Sequence, residues 1–175
     1  MAIALPPFQA FLDEHLQPVL AFLRGMVGPN DAEDVMQETF LAALRAYPRA
    51  KPGNLRAWVF TIARRKAIDH HRSRARGAKP VAEPEELIDR GAGVPPGGSV
   101  DGGVGMSARH SEIWTAVAEL PPNQRAAVVL RFAVDLRYRE IGAALGSSED
   151  AARQSVHEAL KKLRASAGDL KEMAK

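Results

Sequence analysis

Between residues 77 and 107 the chain holds eight glycines and four prolines in 31 positions. A stretch of that composition cannot bury enough apolar surface to offset the entropy of ordering its backbone, so it is expected to be a flexible linker. It divides the chain into a first body, residues 1–76, and a second, residues 108–171. Both flanks show apolar residues at three- and four-residue steps, and neither shows strand alternation of useful length. The expected fold class is therefore all-α, with two small helical domains.

In the first body, Phe8, Phe11, Leu12, Leu16, Val19, Leu23 and Val27 mark an amphipathic helix that stops at Gly28-Pro29. Asn30 or Asp31 is expected to cap a second helix, with Glu33 and Asp34 in its first turn, where the helix dipole favours carboxylates. Val35, Thr39, Leu41 and Leu44 carry that helix's periodicity to Tyr47-Pro48. Asn54 can cap a third, whose apolar stripe is Leu55, Trp58, Val59, Ile62 and Ile68. Three such helices joined by short loops pack as a compact bundle.

The opposite face of the third helix is basic. From Asn54 to Arg76 there are seven arginines or lysines against one acid, Asp69. The linker reverses the balance, with five acids against two bases. Net charge is only +3, so the distribution carries more information than the sum.

The second body resumes with Ile113, Trp114, Val117 and Leu120, breaks at Pro121-Pro122, and restarts through Ala126, Val129, Leu130 and Val134. Tyr138 to Leu163 then reads as helix, a break at Gly146 with two serines, and helix. That is the pattern by which helix-turn-helix proteins place a helix in the DNA major groove. Ser147 or Ser148 can cap the recognition helix, whose inward side is Ala152, Val156, Ala159, Leu160 and Leu163. Ala151, Arg153, Gln154, His157, Glu158 and Lys161 are left outside, and Arg and Gln suit guanine and adenine edges.

Other chemistry is excluded or unsupported. The chain has no cysteine, which rules out disulfides, thiolate metal sites and thiol nucleophiles. Its five histidines are scattered, His70 and His71 are adjacent rather than at ligand spacing, and no nucleophile–base set or phosphate-cradling motif occurs. No apolar run approaches the roughly 18 residues of a membrane span, and the N-terminus lacks signal-peptide character, so a cytoplasmic protein without membrane insertion is expected.

In order, DAEDVMQETFLAALRAY, NLRAWVFTIARRKAIDHHRSRAR, ELPPNQRAAVVLRF and YREIGAALG resemble the consecutive signatures of extracytoplasmic-function sigma factors of the sigma-70 family. The resemblance implies a region 2 bundle of three to four helices and a four-helix region 4. It implies a dissociable promoter-specificity subunit of bacterial RNA polymerase, not an enzyme, with no cofactor and no metal. Its partners would be promoter DNA and the polymerase core, through the clamp coiled coil of the largest subunit and the flap of the second-largest, with an anti-sigma factor as a further partner.

The resemblance assigns Asp34, Gln37, Glu38 and Phe40 to polymerase binding, with Phe40 as an exposed aromatic; the residues alone equally allow a solvated acidic face with Phe40 in the core. For reading and melting the −10 element it implies a pocket at Pro52, Gly53 and Asn54, helix bases Arg56, Arg64, Arg65 and Lys66, and a phosphate-binding tail of Arg72, Arg74 and Arg76. Trp58 sits at a core position. For the −35 element it implies Ala151, Arg153, Gln154, His157 and Lys161. Part of Leu120, Val129, Leu130 and Phe132 would meet the flap, the rest being core, and the linker's acids would either mimic nucleic-acid charge in the polymerase cleft or belong to a solvated tether.

The chain departs from the family pattern in three places. Arg65 stands where many relatives have asparagine, which exchanges an amide able to bind a base edge for a charge. Gly142 replaces a usual alanine. In the recognition helix Arg153 keeps the first of three usual bases, Ser155 and Glu158 replace the others, and Glu149-Asp150 place two acids at its start. Those acids suit the helix dipole but repel phosphates, so unusual −35 binding is expected. Two rival readings are a sigma mimic that binds an anti-sigma factor and a stand-alone helix-turn-helix regulator that dimerises on duplex DNA.

Overall fold

The computed structural model describes residues 5–76 and 108–173, all helix or short connection, with no strand among them. The first half comprises α1 (Phe8–Val27), α2 (Pro29–Ala46) and α3 (Leu55–Arg76), with 3-10 turns at Tyr47–Arg49 and Pro52–Asn54. The second comprises α4 (Ala108–Ala118), α5 (Pro122–Phe132), α6 (Tyr138–Leu145) and α7 (Glu149–Met173). The expected linker, residues 77–107, lies outside the described residues, and its acids with it.

Helix starts follow local chemistry, with one correction. α2 begins at Pro29, directly after Gly28, and neither Asn30 nor Asp31 caps it. A proline at the first helical position sacrifices no hydrogen bond and already has a helical φ. Asn54 does cap α3, its Oδ1 accepting from the Ala57 amide at 3.2 Å. Ser148 caps α7 in the same way, its Oγ accepting from the Ala151 amide at 3.1 Å.

The first core is aromatic at both ends. Phe22 and Phe60 meet edge to face at 5.6 Å, and both are fully buried. At the other end Phe8, Phe11, Phe40, Tyr47 and Trp58 pack together, so Trp58 belongs to the core as its stripe position implied. Burying each such ring stabilises the fold by about 1.5–3 kcal/mol. The Tyr47 hydroxyl donates to the Pro6 carbonyl at 2.8 Å and ties the entering chain to the end of α2. The buried His15 donates through Nδ1 to the Phe11 carbonyl at 2.9 Å, which satisfies that polar atom inside the core.

The second core is built from Leu130, Leu136, Ile141, Ala152, Val156 and Ala159. At the turn between α6 and α7, Gly146 has φ 65°, a left-handed conformation that glycine adopts without steric cost. Gly142 lets the turn fold back onto α6, because a Cβ there would lie 2.8 Å from the Ser148 carbonyl oxygen and 2.9 Å from that of Ser147.

The two halves pack against each other. α1 packs on α5 and α3 on α6, and the buried residues of both halves form one continuous cluster. Gly25 of α1 sits under α5, where a Cβ would come within 2.8 Å of both Val129 methyls and 3.1 Å of the Trp114 ring.

Candidate nucleic-acid and polymerase interfaces

On α2, Asp34, Gln37 and Glu38 are exposed, but Phe40 is buried at 8% exposure, against the expectation of an exposed aromatic. Phe40 shares the inward side with Ala43 and Tyr47, one and two turns on, and its ring lies 6.4 Å from that of Phe11. The exposed apolar residues are instead Leu41 and Leu44, at 55% and 50%. Asp34, Gln37, Glu38, Leu41 and Leu44 follow three- and four-residue steps and so share one outward stripe. Those steps, counted from the acids, are the sequence signal that could have found the two leucines.

The basic residues of α3 do not form one free stripe. Pro52, Gly53 and Asn54 are exposed in the turn before the helix, with the Asn54 side chain engaged as the cap. Arg56 donates through Nη2 to the Val134 carbonyl at 3.0 Å, and its Nη1 lies 3.9 Å from Glu140. Arg64 donates to the Asn123 side-chain oxygen at 2.6 Å. Burial lowers the Arg64 pKa from its ordinary value, and its Nε has no hydrogen-bond partner. Arg65 points outward, while Lys66 lies 3.9 Å from Glu38 and so connects α3 to the polar stripe of α2. At the end of α3, Arg72 is half-buried, Arg74 pairs with Asp31, and Arg76 is exposed.

Two histidines pack under this end. His70 Nε2 lies 3.1 Å from Asp31, and His71 donates through Nε2 to the Met26 carbonyl at 2.8 Å. The His71 pKa is lowered, chiefly by burial, with a smaller repulsion from Arg125, His70 and Arg74; the bond to Met26 acts in the other direction.

In the second half, Ala151, Arg153, Gln154, His157 and Lys161 are all exposed on α7, while Ala152, Val156 and Ala159 are buried. The expected division of the recognition helix into two faces is the one observed. Arg153 donates to Glu149 at 3.1 Å, and Gln154 donates to Glu158 at 3.1 Å. Thus two of the acids that break the family pattern, Glu149 and Glu158, are intramolecular partners of the two candidate base readers. Of the expected flap contacts, Leu120, Val129 and Leu130 are core, and only Phe132 is exposed, at 64%. Ile113 adds a second exposed apolar side chain at 60%.

Comparisons with known proteins agree with this layout. The sigma-70 region 2 family model matches residues 11–77, and the sigma-70 region 4 model matches residues 110–163. The chain is 36% identical to the ECF RNA polymerase sigma factor ShbA of Streptomyces griseus over 167 residues, covering 86% of this chain and 83% of ShbA. It is 32% identical to the ECF sigma factor SigE of Mycolicibacterium smegmatis over 162 residues, covering 92% of this chain and 62% of SigE. Its structure resembles that of the sigma factor RpoE of Bartonella quintana, crystallised with the anti-sigma factor NepR, with a TM-score of 0.67, 25% identity and coverage of 92% of this chain and 96% of that one. The chain belongs to the extracytoplasmic-function group of the sigma-70 family of RNA polymerase sigma factors.

Proposed function

We propose that the chain acts in the bacterial cytoplasm as a promoter-specificity subunit, without catalytic activity of its own. The observation that carries this reading is the pairing, in one chain, of a basic helix behind an exposed Pro-Gly-Asn turn with an exposed recognition helix. Melting a promoter needs unpaired bases to be captured as well as phosphates neutralised, and a turn beside a basic helix offers both.

In this reading the α2 stripe of Asp34, Gln37, Glu38, Leu41 and Leu44 docks on the clamp coiled coil. Carboxylates give charge complementarity to a basic helical partner, and the two leucines supply the apolar area that holds it. Phe132 is the side chain available to the flap. Pro52 to Asn54 with the bases of α3 address the −10 element, and Arg153 and Gln154 address −35 base edges.

The test is reconstituted transcription. Polymerase core plus this chain should open a cognate promoter, and the chain alone should bind that promoter poorly. A sigma mimic would give no open complex. A stand-alone regulator would shift duplex DNA without polymerase, as a dimer on half-sites about one helical turn apart.

A further inference from the structure

The recognition helix carries two hydrogen bonds between its candidate base readers and acids of its own neighbouring turns, and the two differ in what they fix. Arg153 donates through Nη2 to Glu149 at 3.1 Å, and Gln154 donates through Nε2 to Glu158 at 3.1 Å. Each pair spans four residues and so lies along one face of α7, and both readers are exposed. A guanidinium holds only donors, so Glu149 sets where Arg153 lies without altering what it offers a base. The amide of Gln154 has a donor end and an acceptor end, and the end that faces a base decides which bases it fits.

We propose that Glu158 is a specificity-determining residue that acts through Gln154. It holds the amide by its NH2 end and leaves Oε1 for the base, so the −35 position met by Gln154 is read as adenine or cytosine in preference to guanine or thymine. The proposal rests on the reading that Gln154 addresses a −35 base edge.

The direction follows from the chemistry of the carboxylate. An ionised carboxylate only accepts hydrogen bonds, so the end of Gln154 that faces Glu158 is the NH2 group and not the carbonyl. Turning the amide over would set Oε1 against the Glu158 oxygen and exchange an attraction for a repulsion. In the major groove the donors are the adenine N6 and cytosine N4 amino groups, whereas guanine offers O6 and N7 and thymine offers O4, all acceptors. The Gln154 Oε1 therefore matches the first two. Adenine ranks above cytosine, because the NH2 hydrogen that Glu158 does not use is available to N7. Guanine and thymine require the reversed amide and the loss of a charge-assisted hydrogen bond, which is stronger than a neutral one.

Glu158 can be removed without harming the helix. A surface pair at this spacing contributes little to folding, and alanine is the strongest helix former. The same pair gains weight on DNA, where the groove excludes water and the local dielectric falls.

The test uses polymerase core loaded with the full chain, selecting from promoter fragments randomised across the −35 element. Four forms are compared: the unaltered chain, Gln154→Ala, Glu158→Ala and the double variant. One −35 position should favour adenine or cytosine, and Gln154→Ala should flatten it. At that position Glu158→Ala should cut the preference over guanine or thymine about three- to tenfold, and the double variant should match Gln154→Ala. Glu158→Gln should behave like alanine, since an amide accepts or donates and no longer enforces one orientation. A carboxylate that merely repels phosphates gives a different result, because its removal tightens binding on every sequence alike. Uniform tightening with the base ratio unchanged would overturn the proposal, as would a Gln154-dependent position that favours guanine or thymine. If Gln154→Ala flattens no position, the underlying reading of Gln154 fails and takes the proposal with it.

Discussion

The guanidinium of Arg153 lies 5.1 Å from the centre of the Tyr138 ring, so this outward side chain of the recognition helix rests on the first residue of α6. Arg131 approaches the same ring at 5.4 Å, and Glu149 holds Arg153 from its own helix. A cation over an aromatic face contributes about 0.5–1 kcal/mol at an exposed site, enough to bias a long side chain toward one rotamer. The helix-turn-helix thus presents Arg153 already partly ordered.

Substituting Arg153 should therefore change which −35 sequences are preferred. Arg153→Ala is expected to cost about 1–3 kcal/mol against its preferred base pair and little elsewhere. Arg153→Lys should behave much like alanine, since lysine has neither the planar face nor the bidentate fork. Competition among −35 variants in a polymerase assay measures this, and equal weakening on every sequence would reject base reading by Arg153.

Arg64, Arg65 and Lys66 changed together to glutamine should abolish open-complex formation. The slope of log affinity against log salt should fall by up to about 3, because every phosphate that no longer meets a cationic side chain keeps its condensed counterion. An unaltered slope with normal promoter melting would remove α3 from the DNA interface.

Phe40 and its neighbour Leu41 should separate stability from docking. Phe40→Ala removes a buried ring and is expected to destabilise the fold by about 3–5 kcal/mol, visible in thermal melting. Leu41→Ala with Leu44→Ala should leave melting nearly unchanged and weaken binding to polymerase core. Core affinity insensitive to the leucine pair would show that the outward stripe of α2 is not the docking face.

Gly142→Ala sets two effects against each other. Alanine gains about 1 kcal/mol of helix propensity, but overpacking typically costs about 1–3 kcal/mol, and here the atoms in the way are backbone carbonyls that cannot rotate aside. The expected net result is a destabilised second half, read from the melting temperature. A rise in that temperature would mean that the α6–α7 turn yields easily.

Acid should weaken the fold through His71. Its folded pKa is depressed, mainly by burial, so the unfolded chain takes up a proton at a pH where the folded chain does not. The neutral ring's contribution is intact above about pH 6.5, the unfolded value, and is lost as pH falls from there through the folded pKa. Urea unfolding at pH 7.5 and 5.5 should show a smaller loss for His71→Gln than for the unaltered chain, and equal losses would exclude His71 as a source of acid sensitivity.

Local chain chemistry set most of the helices and the order of their charged faces. Apolar spacing from Phe8 to Val27, the Asn54 cap and Gly146 at φ 65° are local features, and local sterics and hydrogen bonding decide them. The inward and outward faces of α7 were equally legible, because small and branched apolar residues recur at helical steps there. That Phe40 turns in follows from tertiary packing, because Phe11, whose ring it meets, belongs to α1, whereas the outward turn of Leu41 and Leu44 was foreshadowed by their steps from the acids. Tertiary packing also decided that the halves close on each other. Gly25 and Val129 are more than a hundred positions apart, and Arg56 ends on a backbone carbonyl that has no signature in the sequence.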